Sequence, residues 1–214
     1  MSIDYEADGR TEILAEITRR VSDLNEESLV RLSEFISFLK WQEEQWRSPT
    51  LEELDGNQPQ VIWRFDMVEE FANARQASTQ APAGMEIKMG TASSGGDLRP
   101  AIWEHPPVTG AAVIEYQFTV PIAVERLRFR GSVGVRDGAL ITDNNPVAFR
   151  LYVNGRKLWS TLKSSCRWDA VEIALPSLAG REVTVQLVTD GLGDARWNWA
   201  VWGEPQVVGY ASAA

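Results

Sequence analysis

From residue 61 onward the apolar residues of this chain recur at every second position, and that period dictates extended strands paired into sheets. In "AVIEYQFTV", Ile114, Tyr116, Phe118 and Val120 alternate with Glu115, Gln117 and Thr119. In "ERLRFRGSVGV", Leu127, Phe129, Val133 and Val135 alternate with Arg126, Arg128 and Arg130. "VIWRFD" opens the series, and "DAVEIAL" and "REVTVQLVTD", joined by "PSLAG", continue it. "PVAFRLYVNGRKLWSTL" predicts a hairpin at Asn154-Gly155, because both residues accept the positive φ of a tight turn. "MVEEFANARQASTQ", residues 67–80, reads as a short helix or an irregular loop. Short alternating strands without intervening helical periods predict a mainly β fold, a β-sandwich over 61–214.

Before that point the period is helical. Ile13, Leu14, Ile17, Val21 and Leu24, then Leu29, Leu32, Phe35, Ile36, Leu39 and Trp46, predict a helical hairpin over 11–47, within a first unit of 1–47. Asn25 suits an N-cap, Leu24 and Leu29 have hydrophobic-staple spacing, and Ser48-Pro49 stops the second helix. The polar, Pro/Gly-bearing stretch 48–60 reads as a linker. Two short helices cannot bury their apolar stripes alone, so Leu29, Leu32, Phe35, Ile36, Leu39 and Trp46 are expected to pack on the second domain, on a second copy or on a partner. "LNEESLVRLSEFISFLK", residues 24–40, resembles a helical segment of small antitoxin-like proteins. The basic DNA-binding strand such proteins often carry is absent, and no repressor role is carried over.

Charge narrows the partners. Residues 1–56 hold 6 Lys and Arg against 14 Asp and Glu, whereas 57–214 hold 15 against 16. Nucleic acid, which selects a basic face, is disfavoured. No run approaches the roughly 20 apolar residues of a membrane-spanning helix. The opening "MSIDYEADGRTEIL" lacks the basic and apolar regions of a secretory signal, so the expectation is a cytoplasmic protein. Cys166 is the single cysteine and can form no disulfide within the chain.

The same scarcity argues against catalysis. His105, in "WEHPP", is the single histidine, and a turn histidine bonded to backbone explains it better than a general base. Cys166 has no second histidine to activate it and reads as a buried thiol. No carboxylate pair stands out, because Asp137, Asp143, Asp169, Asp190 and Asp194 all lie at turns, where Asp serves local geometry. One His and one Cys exclude a soft-metal site. Calcium could draw on loop carbonyls plus Asp190 and Asp194, which flank a glycine-rich turn; ordinary turn aspartates explain the same pair.

Near the end of the chain, "GDARWNWAVWGEP" brings Trp197, Trp199 and Trp202 together. On a strand, Trp197 and Trp199 would share one face and Trp202 would take the other, unless the strand kinks at Gly203. Together with "GTASSGGDLRPAIWEHPP", "AVIEYQFTVP", "RFRGSVGVRDGA" and "VAFRLYVNGRKLW", the closing "LVTDGLGDARWNWAVWGEPQVV" resembles the galactose-binding-like jelly rolls, in particular carbohydrate-binding modules attached to glycoside hydrolases, over roughly 87–208. Asp190-Gly191, Asn198, Trp199-Ala200, Trp202-Gly203 and Pro205 occupy the places of the final-strand pattern. Asn198 stands where an acidic residue is usual, so no charge-based role passes to it.

The resemblance implies a non-catalytic carbohydrate-binding module, no required cofactor, and in related modules a structural calcium. It implies that Trp199 and Trp202 close the last strand, which leaves Trp197 as the exposed indole. Aromatic faces and amides at loop tips hold sugars, and the residues with that chemistry are Asp143, Asn144, Asn145, Trp168 and Trp197, with Trp159 as another face. "DNNP" is also an ordinary turn sequence. The other reading is an intracellular interaction or assembly protein that docks partners on the sandwich and self-associates through its helices.

Overall fold

The computed structural model describes residues 15–22, 24, 25, 28, 29, 32 and 60–211. The chain divides into two compact units, Met1–Asp55 and Gly56–Ala214. In the first unit residues 15–21 are helical, and Glu16 is held by both Arg19 and Arg20. Asn25 acts as the N-cap expected of it: its Oδ1 accepts the Ser28 N–H at 2.9 Å and its carbonyl accepts the Leu29 N–H at 3.0 Å. Phe35, Ile36, Leu39, Trp46 and the stretch 48–59 lie outside the described residues, as does most of the antitoxin-like segment.

The second unit is a sandwich of two antiparallel sheets. Its strands are β1 (Val61–Asp66), β2 (Arg75–Ser78), β3 (Glu86–Ser94), β4 (Asp97–His105), β5 (Ala111–Thr119), β6 (Arg126–Val135), β7 (Val147–Val153), β8 (Arg156–Lys163), β9 (Asp169–Leu175), β10 (Glu182–Asp190) and β11 (Ala200–Tyr210). The six-stranded sheet runs β3-β4-β11-β6-β9 with β1 also on β11, and the five-stranded sheet runs β2-β5-β10-β7-β8. Residues 67–80 resolve into a short 3-10 helix, Glu69–Asn73, followed by β2.

Alternation decides what enters the core. Ile114 and Tyr116 on β5, Leu127, Phe129, Val133 and Val135 on β6, and Phe149 and Leu151 on β7 are all buried between the sheets. The last strand departs from simple alternation. Ala200 and Trp202 face the core, Val201 faces the outer surface, and after the register shift between Gly203 and Gln206 the inward residue is Val207. A bulge inserts one residue and so reverses parity. Glu204 carries its strain at φ 47°. Along one edge of β11 the partner also changes there, from β4 at Val201–Gly203 to β1 at Gln206–Tyr210.

The β3–β4 hairpin was not anticipated. It turns at Gly95-Gly96, with φ of 66° and 79°, values that L side chains rarely adopt. β4 pairs with β11 over Ala101–Trp103 only, and the hairpin tip folds back over the outer face of the sheet. Ser94 Oγ donates to the Val135 carbonyl at 2.7 Å. Asp137 accepts Ser93 Oγ and the N–H groups of Gly95 and Gly96 at 2.6, 2.7 and 2.9 Å, and these bonds hold its carboxyl below the usual range.

Candidate functional site

Antiparallel registers bring five connections to one end of the sandwich. Asp190 pairs with Ala111 and Ala148, Ala200 with Val135, Val133 with Asp169, Ser78 with Ala112, and Glu86 with His105. The segments 79–85, 106–110, 136–146, 164–168 and 191–199 therefore share that end. Loops vary freely on such a scaffold, which is why binding chemistry collects there.

Polar side chains tie these loops to one another. Asn145 Oδ1 accepts the Thr142 N–H and hydroxyl, each at 2.8 Å, while its Nδ2 donates to the Arg196 carbonyl at 3.2 Å. Ser164 Oγ donates to Asp143. Asp194 takes Arg196 through both carboxylate oxygens, and that guanidinium holds its pKa at about 2. Asn198 is buried and its Nδ2 donates to the Asp194 carbonyl at 2.7 Å.

On this braced loop Trp197 adopts φ 64° and stays 38% exposed, the only tryptophan among the exposed large apolar residues described. It precedes β11 rather than lying on it, so strand parity does not govern it. Its ring meets Trp199 at 5.4 Å, whereas Trp202 is fully buried between Phe149 and Phe129. Asn144 is exposed, with its backbone N–H on Thr142 Oγ1 at 3.3 Å.

Among the five sequence-nominated residues, Asn145 ties the 143–145 loop to Arg196, the residue before Trp197. Trp168 goes elsewhere. Its Nε1 donates to the Asp97 carbonyl at 2.8 Å, and its ring lies so close over Gly134 and Gly203 that a Cβ there would come within 2.8 and 3.0 Å of it. The ring serves to seat the hairpin on the sheet. Trp159 packs toward Trp202 at 6.2 Å and is an inter-sheet side chain. Asp190 accepts Arg150 at 3.0 Å and the Leu192 N–H at 2.8 Å. Each carboxylate of the nominated calcium pair is engaged by an arginine, Asp190 by Arg150 and Asp194 by Arg196, and no group of three or more metal-binding side chains occurs among the described residues.

A second set of residues at this end was not read from the sequence. Trp103 and His105 share the outer face of β4, their rings 6.1 Å apart. Lys88 Nζ lies 3.9 Å and the Arg136 guanidinium 3.5 Å from the Trp103 ring centroid, and Arg136 also reaches Trp199 at 5.6 Å. Trp197, Trp199, Arg136 and Trp103 thus form one continuous aromatic and cationic strip. His105 lies with Nδ1 3.3 Å from Glu86 and its Nε2 is buried without a partner. Desolvation lowers its pKa to about 4, so it is neutral at pH 7. Cys166 is partly buried, its thiol on the carbonyls of Arg136 and Ala139, and burial pushes it up and away from reactivity.

No family model matches the chain, and no curated protein matches it. Solved structures similar to it include carbohydrate-binding modules. One is the family 51 module of a family 95 glycoside hydrolase from Clostridium perfringens in complex with methyl-galactose, at 15% identity over 68% of this chain and 99% of that one, with a TM-score of 0.46. A family 61 module in complex with beta-1,4-galactotriose is 12% identical over 66% of this chain and 90% of that one, TM-score 0.44. A family 27 module described for mannan recognition is 13% identical over 72% and 99%, TM-score 0.45. The β-sandwich assignment itself rests on the strand order and registers given above.

Proposed function

We propose that this chain is a non-catalytic carbohydrate-binding β-sandwich, with its ligand lying across the loop end on Trp197 and the Asn144 amide. The observation that carries this reading is the exposed Trp197 indole, fixed at positive φ on a loop braced by Asn145, Asp194 and Asn198. A preformed aromatic face loses little freedom on binding, and sugar C–H groups pack on such faces. Val108, Leu140 and Leu192 are also exposed on the loops of this end, giving it apolar surface beside the amides. The sequence resemblance to carbohydrate-binding modules points the same way. The carboxylates here serve the loops: Asp137, Asp143, Asp190 and Asp194 each accept a hydroxyl, an arginine or a turn N–H. The first unit supplies self-association, and linked copies raise weak single-site affinity by avidity.

A glycan array probed with the full chain, followed by titration of the best ligand, tests this. Replacing Trp197 with Ala is expected to weaken binding about fivefold or more, the worth of one aromatic contact, while the denaturation midpoint hardly moves. An array without a bound glycan, or a Trp197→Ala chain that binds as well as the original, overturns the proposal.

A further inference from the structure

We infer that the carbohydrate taken at this end carries an acid group, the carboxylate of a uronic-acid type glycan, and that Arg136 receives it. The inference rests on the carbohydrate reading above and adds the ligand's charge. Arg136 leaves the end of β6 with its backbone clamped: its N–H donates to the Trp199 carbonyl at 3.0 Å, and its own carbonyl accepts the Ala139 N–H at 3.3 Å. Its guanidinium lies against Trp103 and near Trp199, half-buried, and among the described residues it makes no hydrogen bond or ion pair. The neighbouring arginines differ. Arg99 holds Asp97, Arg167 lies 3.4 Å from Asp169, and Arg196 holds Asp194. The other cation on Trp103, Lys88, is bonded to Glu86 at 2.5 Å.

Burial disfavours the charge of Arg136, and Glu86 opposes that effect only in part. With Glu86 balancing Lys88 and His105 neutral, one positive charge in the cluster has no counter-charge. A partly desolvated cation without a partner is costly, and an anion that completes it recovers that cost. The planar guanidinium has its five donors unspent and matches a carboxylate in two parallel bonds, so it can discriminate an acid sugar from its neutral counterpart. The guanidinium rests on the Trp103 ring, 3.5 Å from its centroid, before the ligand arrives.

Calorimetric titration of the full chain with three oligosaccharides of equal length tests the inference: a uronic-acid oligomer, the same oligomer with its carboxyl groups reduced to alcohols, and a sulfated one. The acid form is expected to bind about tenfold or more tightly than the reduced form near physiological salt, and the ratio to shrink as salt is raised. Arg136→Gln should bring that ratio close to one, and Arg136→Lys should keep part of it; circular dichroism melts establish that both variants fold. The sulfated oligomer reports whether the cation also accepts that source of negative charge. Equal binding of acid and reduced forms overturns the inference and leaves the carbohydrate reading standing, as does an acid preference that survives in Arg136→Gln. Failure to bind any of these or any arrayed glycan overturns both.

Discussion

Glu104 is a fully buried carboxyl on β4 whose Oε2 accepts the Trp202 Nε1–H at 2.7 Å and whose Oε1 has no partner. Desolvation raises its pKa well above the ordinary 4.5, against the lowering effect of the Trp202 bond. The folded state therefore keeps a proton that the unfolded chain releases, and stability falls as pH rises above about 4.5 toward the folded value. His105, lowered from 6.5 to about 4, acts at the other side. Its contribution is present above 6.5 and is lost as pH falls toward 4. Glu104→Gln should keep the bond to Trp202 and flatten the alkaline decline in denaturation midpoints measured between about pH 5 and pH 9; a decline of unchanged slope contradicts this. Trp202→Ala opens a cavity and strips the one partner from that carboxyl, and should cost about 3–5 kcal/mol. Trp197→Ala, at the exposed end of the same segment, should cost less than about 0.5 kcal/mol in the same denaturation experiment. Equal losses would contradict the division between core and platform.

Strand alternation carried most of the fold into legibility, since burying one face of each sheet requires it. The reversal at Gly203 was legible only as a condition, because a bulge depends on which partner strand changes there, and β1 and β4 are remote from β11 in sequence. The β3–β4 hairpin had a local signal in Gly95-Gly96, but Pro100 and the polar run around it obscure the alternation. Missing that hairpin also hid the outward set Lys88, Trp103 and His105. Trp168 misled for a related reason: the holes that receive its ring are two glycines of other strands, invisible from its own neighbours. Gly134→Ala fills one of them. A Cβ there would meet Trp168 at 2.8 Å and Ser94 Oγ at 2.9 Å, so the hairpin must shift. The expected cost is about 1–3 kcal/mol, with faster amide exchange at Gly95 and Gly96. Exchange unchanged at those amides would mean that Trp168 does not seat the hairpin.

On the proposed reading, the acidic first unit serves association and the near-neutral sandwich serves recognition. Among the described residues of the first unit Ile17, Leu24 and Leu29 are exposed by 49%, 40% and 39%. We expect the full chain to sediment as an oligomer, and a chain beginning at Gly56 as a monomer; equal monomers would remove self-association from the account. Recognition stands on the position of Trp197 at the loop end. The most direct measurement is nuclear magnetic resonance of the full chain during addition of the glycan selected on the array, following tryptophan indole N–H and asparagine side-chain amide signals. The account predicts that Trp197, Trp199 and Asn144 shift progressively to saturation while Trp202 and Trp159 stay in place. Shifts confined to other surfaces, or none at the loop end with ligand saturating, would contradict it.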